Sequence, residues 1–289
     1  MSAPRSATTD CEVVTTRGGA RAMRDITTGE LMHPIVGPII EAEQLYVEPS
    51  RLKDRLGAGG PPLVLLDVGL GAGSNAIAAW KLSERMPASA SRLEIVSFER
   101  SVSALTLALA DEHASSFGFE GEAGRAARAL LDTGAHEAPR TRWRLVIGEL
   151  PSTLASEPGS SADVVFWDPF SPRANPSLWT MAAFTALRRL CRAGTTVHTY
   201  SAATATRSAL LLAGFAVGAG EATLEGKQTT TAAVSVGDLQ RPLDRRWLQR
   251  LARSSAPFPP DAPADALARV TALSQFSATV PLFDGRSDR

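Results

Sequence analysis

Leu63-Val64-Leu65-Leu66-Asp67-Val68-Gly69-Leu70-Gly71-Ala72-Gly73-Ser74-Asn75 is the stretch that decides the fold. An apolar run closes on an acid, breaks into alternating glycines and passes into Ser74-Asn75-Ala76-Ile77-Ala78-Ala79-Trp80, which reads as a helix start. Strand, glycine turn, helix is how α/β folds build a nucleotide site. Glycine lets the chain turn sharply and leaves no Cβ between backbone and ligand. A dinucleotide fingerprint has G-x-G-x-x-G; here the third glycine comes one position early and Ser74 stands where that pattern wants glycine. Asp67, two residues before the first glycine, repels a pyrophosphate. It suits the cationic amino end of a methionine moiety, held directly or through water. The loop therefore favours S-adenosylmethionine.

A second strand, Leu93–Phe98, ends on Glu99, where a carboxylate accepts both ribose hydroxyls. Enzymes that bind NAD also use an acid there, so Glu99 indicates a nucleoside without saying which. The plainer alternative is a ligand-free turn; acids at two strand ends weigh against it.

Working outward, Leu63–Val68, Leu93–Phe98, Trp143–Ile147, Asp163–Trp167 and Thr195–Tyr200 read as strands alternating with helices at about Ser74–Arg85, Ser101–Phe117, Pro176–Leu190 and Ala203–Ala213. A short helix is expected around Arg125–Leu131. Phe215–Val217 and Thr229–Val236 read as a closing strand pair. This alternation predicts an α/β fold with a mostly parallel, Rossmann-like sheet. Ending on an antiparallel strand is the habit of class I S-adenosylmethionine-dependent methyltransferases. Residues 1–11 read as disordered, Glu12–Ile26 as a hairpin around Gly18-Gly19, Gly37–Val47 as a short helix and Arg51–Pro62 as a connector. The division expected is an N-terminal hairpin and helix (1–50), the Rossmann-like domain (51–237) and a helical tail (238–289) with amphipathic pieces near Leu243–Ala252 and Ala264–Leu273.

Of 289 residues, 44% are hydrophobic and 21% charged, enough for a sizeable core. No apolar stretch reaches the length of a membrane span and no signal-peptide core opens the chain, so a cytoplasmic protein without a membrane partner is expected. Cys11 and Cys191 form no CxxC pair, and the four histidines are scattered, so no metal is expected. A formal net charge of +0 argues against gripping nucleic acid by bulk charge, though not against a local basic face.

The chemistry-bearing segment is Asp168-Pro169-Phe170-Ser171-Pro172, directly after Val164-Val165-Phe166-Trp167. Ligands bind outside the carboxyl ends of such strands, which puts Asp168 and Phe170 beside the glycine loop. Methyl transfer from a sulfonium is an in-line displacement, so the protein chiefly positions the partners. An amine acceptor must also be neutral, although an alkyl amine has a pKa of ~10 in water. Asp168 and the Pro169 carbonyl are placed to accept amine N–H bonds, and Asp168 to receive the proton. Phe170 is placed to stack on an extruded base. Glu149, after Gly148 at the end of the third core strand, is a candidate for the adenine amino group or a solvated turn residue.

Asp168-Pro-Phe-Ser-Pro-Arg-Ala-Asn-Pro-Ser-Leu-Trp179 resembles the D-x-F-x-P-x-x-N-P-x-x-W signature of the methyltransferase domain of the MnmC family of tRNA-modifying enzymes. The Asp67–Asn75 loop, Ser97-Phe98-Glu99, Thr199-Tyr200-Ser201 and Gly226-Lys227 resemble it too, over roughly Glu30 to Val236. The resemblance implies methylation of the primary amine of an aminomethyl-uridine at the tRNA wobble position. It implies Asp67, Gly69, Gly71, Gly73, Asn75, Glu99 and Glu149 as cofactor-binding, Asp168 and Phe170 as catalytic, and Pro169, Asn175 and Trp179 as substrate-binding or pocket-shaping. Plain packing is an equal reading for Trp179. The family usually has Asp where Glu149 stands, and tends to read Tyr-His-Ser where this chain has Leu31-Met32-His33-Pro34. No second nucleotide loop for a flavin half is seen. A separate enzyme is therefore expected to supply the amine.

Arg140-Thr141-Arg142-Trp143-Arg144, Arg188-Arg189-Leu190-Cys191-Arg192 and the tail arginines Arg241, Arg245, Arg246, Arg250 and Arg253 are candidate phosphate contacts, or solvated faces. Two alternatives to the tRNA reading stay open: a class I methyltransferase acting on a small-molecule or protein nitrogen, and an inactive binding module of the same fold.

Overall fold

A computed structural model describes residues 10–32, 36–223 and 226–277. Three short antiparallel strands come first: β1 (Cys11–Thr15), β2 (Arg21–Asp25) and β3 (Leu31–Met32). Helix α1 (Pro38–Ala42) continues into one π-helical turn, Glu43–Val47. Helix α2 (Leu52–Gly57) occupies what reads from sequence as a connector; Leu52 and Leu56, one turn apart, are its buried face. The disordered reading of residues 1–11 falls outside the described residues up to residue 9, and Cys11 already belongs to β1.

The main sheet is built from β4 (Leu63–Val68), β5 (Leu93–Glu99), β6 (Ala135–Glu137), β7 (Thr141–Ile147), β8 (Ala162–Trp167), β9 (Cys191–Thr199), β10 (Ala216–Ala219) and β11 (Thr230–Ala233). Its order is β10-β11-β9-β8-β4-β5-β7-β6. The five central strands are parallel; β6, β10 and β11 run antiparallel to their neighbours. The two- and three-residue strands β3 and β6 are too short for an alternation signal.

β4 is a continuous apolar run because both its faces are covered. Leu65, Ile95, Trp143, Val164 and Phe166 face α3 (Ser74–Glu84), α4 (Ser103–Ala108) and α5 (Glu122–Thr133). Leu66, Val96, Val165 and Trp167 face the opposite layer. That layer runs from the short α6 (Ser152–Ala155) through α7 (Met181–Leu190), α8 (Thr204–Leu212) and α9 (Arg245–Arg253) to α10 (Ala266–Thr271). Each fully buried aliphatic side chain contributes about 1.5–3 kcal/mol.

Two expected helices are cut. The first stops at Ala108, because Asp111 and Glu112 in a last turn would oppose the helix dipole. The second splits into a 3-10 turn, Pro176–Trp179, and α7; Thr180 is extended and caps α7 by accepting from the Ala183 N–H. The chain crosses from β4 to β5 on one side while β8 lies on the other. This is the switch point where such sheets leave a crevice.

Candidate active site

The glycine loop leaves β4 with φ of +89° at Gly69, +51° at Gly71 and +83° at Gly73. Gly69 is required twice over. Its φ is left-handed, and a Cβ there would sit 2.8 Å from the Asp168 carbonyl oxygen. Only glycine lets the loop after β4 lie against the turn after β8. A Cβ at Gly71 would come 3.0 Å from Met32 Sδ, so β3 lies directly over the loop.

Four consecutive residues after β8 are each held by a side chain from elsewhere. Asp168 Oδ1 accepts the Tyr46 hydroxyl at 2.5 Å, and Oδ2 accepts Asn75 Nδ2 at 2.7 Å. The Pro169 carbonyl accepts the Tyr200 hydroxyl at 3.1 Å. The Phe170 carbonyl accepts Trp179 Nε1 at 2.8 Å. The Ser171 N–H donates to Glu30 Oε2 at 2.9 Å, and its hydroxyl donates to Glu30 Oε1. Burial pushes the Asp168 carboxyl up to about 6, while the hydrogen bonds from Tyr46 and Asn75 pull it back down. Tyr46 is fully buried, stacked obliquely on Phe166 at 5.4 Å, and its phenol is raised well above the ordinary range by burial and by Asp168. It sits in the π-helical turn, a distortion that recurs at functional sites.

Around this turn opens a cleft of about 670 Å³, within the range of small-molecule sites. Gly69, Gly71, Glu99, Glu149, Asp168, Pro169, Phe170 and Asn175 all line it. Glu99 Oε2 accepts the Gly71 N–H at 2.9 Å, and Oε1 accepts the Arg100 N–H at 2.7 Å and the Ser101 N–H at 3.2 Å. A carboxylate has about four acceptor positions, so capacity for ribose hydroxyls remains. Glu149 stands at the exposed rim, 3.9 Å from Arg100.

Asp67, Gly73, Asn75 and Trp179 lie behind the wall and not on it. Asp67 is 1% exposed; Oδ2 accepts the Ser97 hydroxyl at 2.7 Å, Ser97 in turn accepts Trp143 Nε1 at 2.9 Å, and Oδ1 has no partner. Burial pushes its carboxyl up to about 7. Asn75, expected on the cofactor, instead donates to Asp168. Trp179 both packs edge-on against Tyr200 at 5.7 Å and pins the Phe170 carbonyl, so it orders the loop.

Tyr46 escapes sequence reading altogether, and Tyr200 and Glu30 enter it only as part of the family resemblance, with no site role. One signal was available: the chain has two tyrosines in all, and both meet here. The segment before residue 50 supplies Glu30, Met32 and Tyr46 to the cleft. His33 and Pro34 of the altered N-terminal segment lie outside the described residues.

The donor set suits a cationic nucleoside. The lining carries seven carboxylates against Arg100 and Lys227, with Leu70, Ala104 and Leu150 as apolar surface. The unpartnered buried Asp67 Oδ1 lies behind the loop where a sulfonium amino acid would sit.

Most of the sequence-singled arginines serve the fold. Arg140 donates to the carbonyls of Ala88, Ala90 and Ser91. Arg189 donates to those of Leu154, Ala155 and Glu157, and Arg144 and Arg192 pair with Glu157 and Asp163.

Residues 129–235 match a family described as S-adenosyl-L-methionine-dependent methyltransferase. Over 200 residues the chain is 33% identical to the tRNA 5-methylaminomethyl-2-thiouridine biosynthesis bifunctional protein MnmC of Methylibium petroleiphilum, covering 65% of this chain and 29% of that protein. It is 31% identical over 193 residues to the protein of the same name from Ralstonia nicotianae, with the same coverages. The chain thus spans under a third of the length of these curated relatives. The crystal structure of MNMC2 from Aquifex aeolicus superposes with a TM-score of 0.70 at 24% identity, over 92% of this chain and 85% of that one, which shows the fold. The cofactor is S-adenosyl-L-methionine and the fold is that of class I methyltransferases.

Proposed function

We propose that this S-adenosyl-L-methionine-dependent methyltransferase methylates the primary amine of an aminomethyl-uridine at the wobble position of tRNA. The observation that carries the reading is the fourfold clamp on residues 168–171. It presents Asp168 at the glycine loop in one fixed geometry. The likeness to the MnmC proteins supplies the acceptor class.

When bound, the cofactor supplies a methyl group on a sulfonium, which leaves as a neutral thioether. Gly69 and Gly71 would bring backbone to it, Glu99 would take its ribose, and Asp67, behind the loop, would act on its amino end through the wall or through water. Asp168 attracts the acceptor ammonium, takes a proton from it and orients the lone pair that is left. A carboxyl near 6 is a better base than an ordinary one and is still mostly ionised at pH 7. The second lone pair of the Pro169 carbonyl accepts another amine hydrogen. Phe170 stacks on the uracil ring, and the cleft excludes water from the amine. A tRNA acceptor implies a cytoplasmic setting, and a separate enzyme makes the amine.

A second reading, a small-molecule or protein amine, is favoured by two observations: the lining is acidic, and most of the candidate arginines are engaged within the fold. The test is transfer from labelled S-adenosylmethionine to tRNA from cells lacking this methylation, read by nucleoside mass spectrometry with Asp168→Ala as control. A new methyl on the aminomethyl-uridine, absent with the variant, supports the first reading. No transfer by a protein that binds the cofactor overturns it in favour of the second.

A further inference from the structure

α9, Arg-Arg-Trp-Leu-Gln-Arg-Leu-Ala-Arg, carries four arginines and no acid. Trp247 and Leu251, one turn apart, are buried against the second core, with Trp247 stacked on Phe276 at 6.0 Å. Arg246, Arg250 and Arg253 follow a spacing of four and three, so they share one solvent-exposed face. The side chains of Arg246 and Arg250 make no ion pair or hydrogen bond among the described residues, and that of Arg253 bonds only its own helix, at the Gln249 carbonyl. Asp244, the nearest acid in sequence, is spent capping the helix through the N–H groups of Arg246 and Trp247. This face differs from the other arginine clusters, whose guanidinium groups are engaged by backbone carbonyls or paired with carboxylates.

The end of α9 leads back to the cleft. After Arg253 the chain passes Pro257, whose carbonyl accepts the Ser208 hydroxyl in the middle of α8. It then reaches Asp261, which takes the Met181 and Ala182 N–H groups at the start of α7. Directly before α7 lies the 3-10 turn whose Trp179 pins Phe170, and before that the Ser171–Ala174 turn, which exposes Arg173. Arg173 likewise has no partner among the described residues. Unneutralised guanidinium groups thus stand on the turn that follows the cleft-lining Ser171 and on α9, and the contacts of Pro257 and Asp261 join the two segments.

We infer that Arg173, Arg253, Arg250 and Arg246 form a track for the phosphate backbone of the RNA whose base enters the cleft. The inference rests on the tRNA reading and deepens it. Charge is segregated: the acidic interior receives the cationic amine, and the arginine face outside receives phosphate. Guanidinium suits phosphate because its planar fork donates two hydrogen bonds at once.

The test uses the full chain and hypomodified tRNA, with tRNA affinity measured across a salt series. Replacing Arg246, Arg250 and Arg253 together by Gln is expected to flatten the slope of log affinity against log salt by about two to three and to raise the KM for tRNA at least about tenfold. The kcat for tRNA, and transfer to the isolated aminomethyl-uridine nucleoside, stay at wild-type levels. Arg173→Gln lowers the slope by about one. Arg142→Gln, at the opposite end of the strands, leaves it unchanged. A triple variant with wild-type slope and KM, while tRNA is methylated normally, overturns the track and spares the tRNA reading. A wild-type protein that neither binds nor methylates tRNA overturns both.

Discussion

Tyr46 and Asp168 stand 122 positions apart in sequence and meet at 2.5 Å, the phenol donating to the carboxylate. The bond stabilises the charged acid and therefore opposes the effect of burial on its pKa. Under the proposed mechanism Asp168 is ionised when it attracts an ammonium, so the methyl-transfer rate is expected to rise as pH climbs through about 6. Tyr46→Phe removes the donor and moves that acidic limb to higher pH by about one unit. A pH–rate profile under saturating cofactor measures it, and an unmoved limb refutes the role given to Tyr46.

Asp168→Asn keeps the shape and loses the charge and the base. Transfer is expected to fall about 10²–10⁴-fold. Calorimetric affinity for S-adenosylmethionine is expected to stay within a few-fold, since the proposed role of Asp168 is toward the acceptor. Near-normal turnover by this variant contradicts the mechanism.

Gly69→Ala forces a side chain into a left-handed conformation and against the Asp168 carbonyl. It is expected to cost about 1–3 kcal/mol in denaturant unfolding and to abolish transfer, because relief of the clash shifts the Asp168 turn. A stable, active variant would mean the two loops have slack that their contact distances do not show.

Trp179→Phe retains ring packing and deletes the donor to the Phe170 carbonyl. The expected loss is about 1 kcal/mol of stability with a raised acceptor KM and an unchanged cofactor Kd. Equal changes in both binding constants would assign Trp179 to packing alone.

Asp67 gives a stability prediction with a definite sign. Its carboxyl rises from 3.8 to about 7 on folding, so between those values the native state holds a proton that the unfolded chain has lost. Stability therefore falls as pH rises from about 4 to about 7 and levels off above. Asp67→Asn removes that slope and is more stable than wild type at pH 8, by up to a few kcal/mol, with the gap closing near pH 4. The same variant binds S-adenosylmethionine more weakly. Thermal unfolding at the two pH values, with and without cofactor, separates the effects.

The glycine-loop side of the cleft was legible because its signals are local: Gly69, Gly71 and the strand-end Glu99, which line it, fall within contiguous stretches. Asp168-Pro169-Phe170 was legible for the same reason. What holds that turn was not. Glu30 reaches Ser171 across 141 positions, Tyr200 reaches Pro169 across 31, and Asn75 serves Asp168 across 93, though its place in the glycine loop suggests the cofactor. No periodicity encodes such pairings; they exist only once β4 and β8 are neighbours. The arginines mislead for a related reason. A guanidinium bound to its own backbone, as at Arg140, looks in sequence like one awaiting a phosphate.

The meeting of both tyrosines at one turn has a practical consequence. With two tyrosines in 289 residues, isotope or fluorine labelling of that residue type yields a two-line spectrum. Both lines come from the cleft, one from the ring touching Asp168 and the other from the ring touching Pro169. The protein thus carries its own pair of reporters. Titrating cofactor and then acceptor against them resolves the order of binding without any engineered probe.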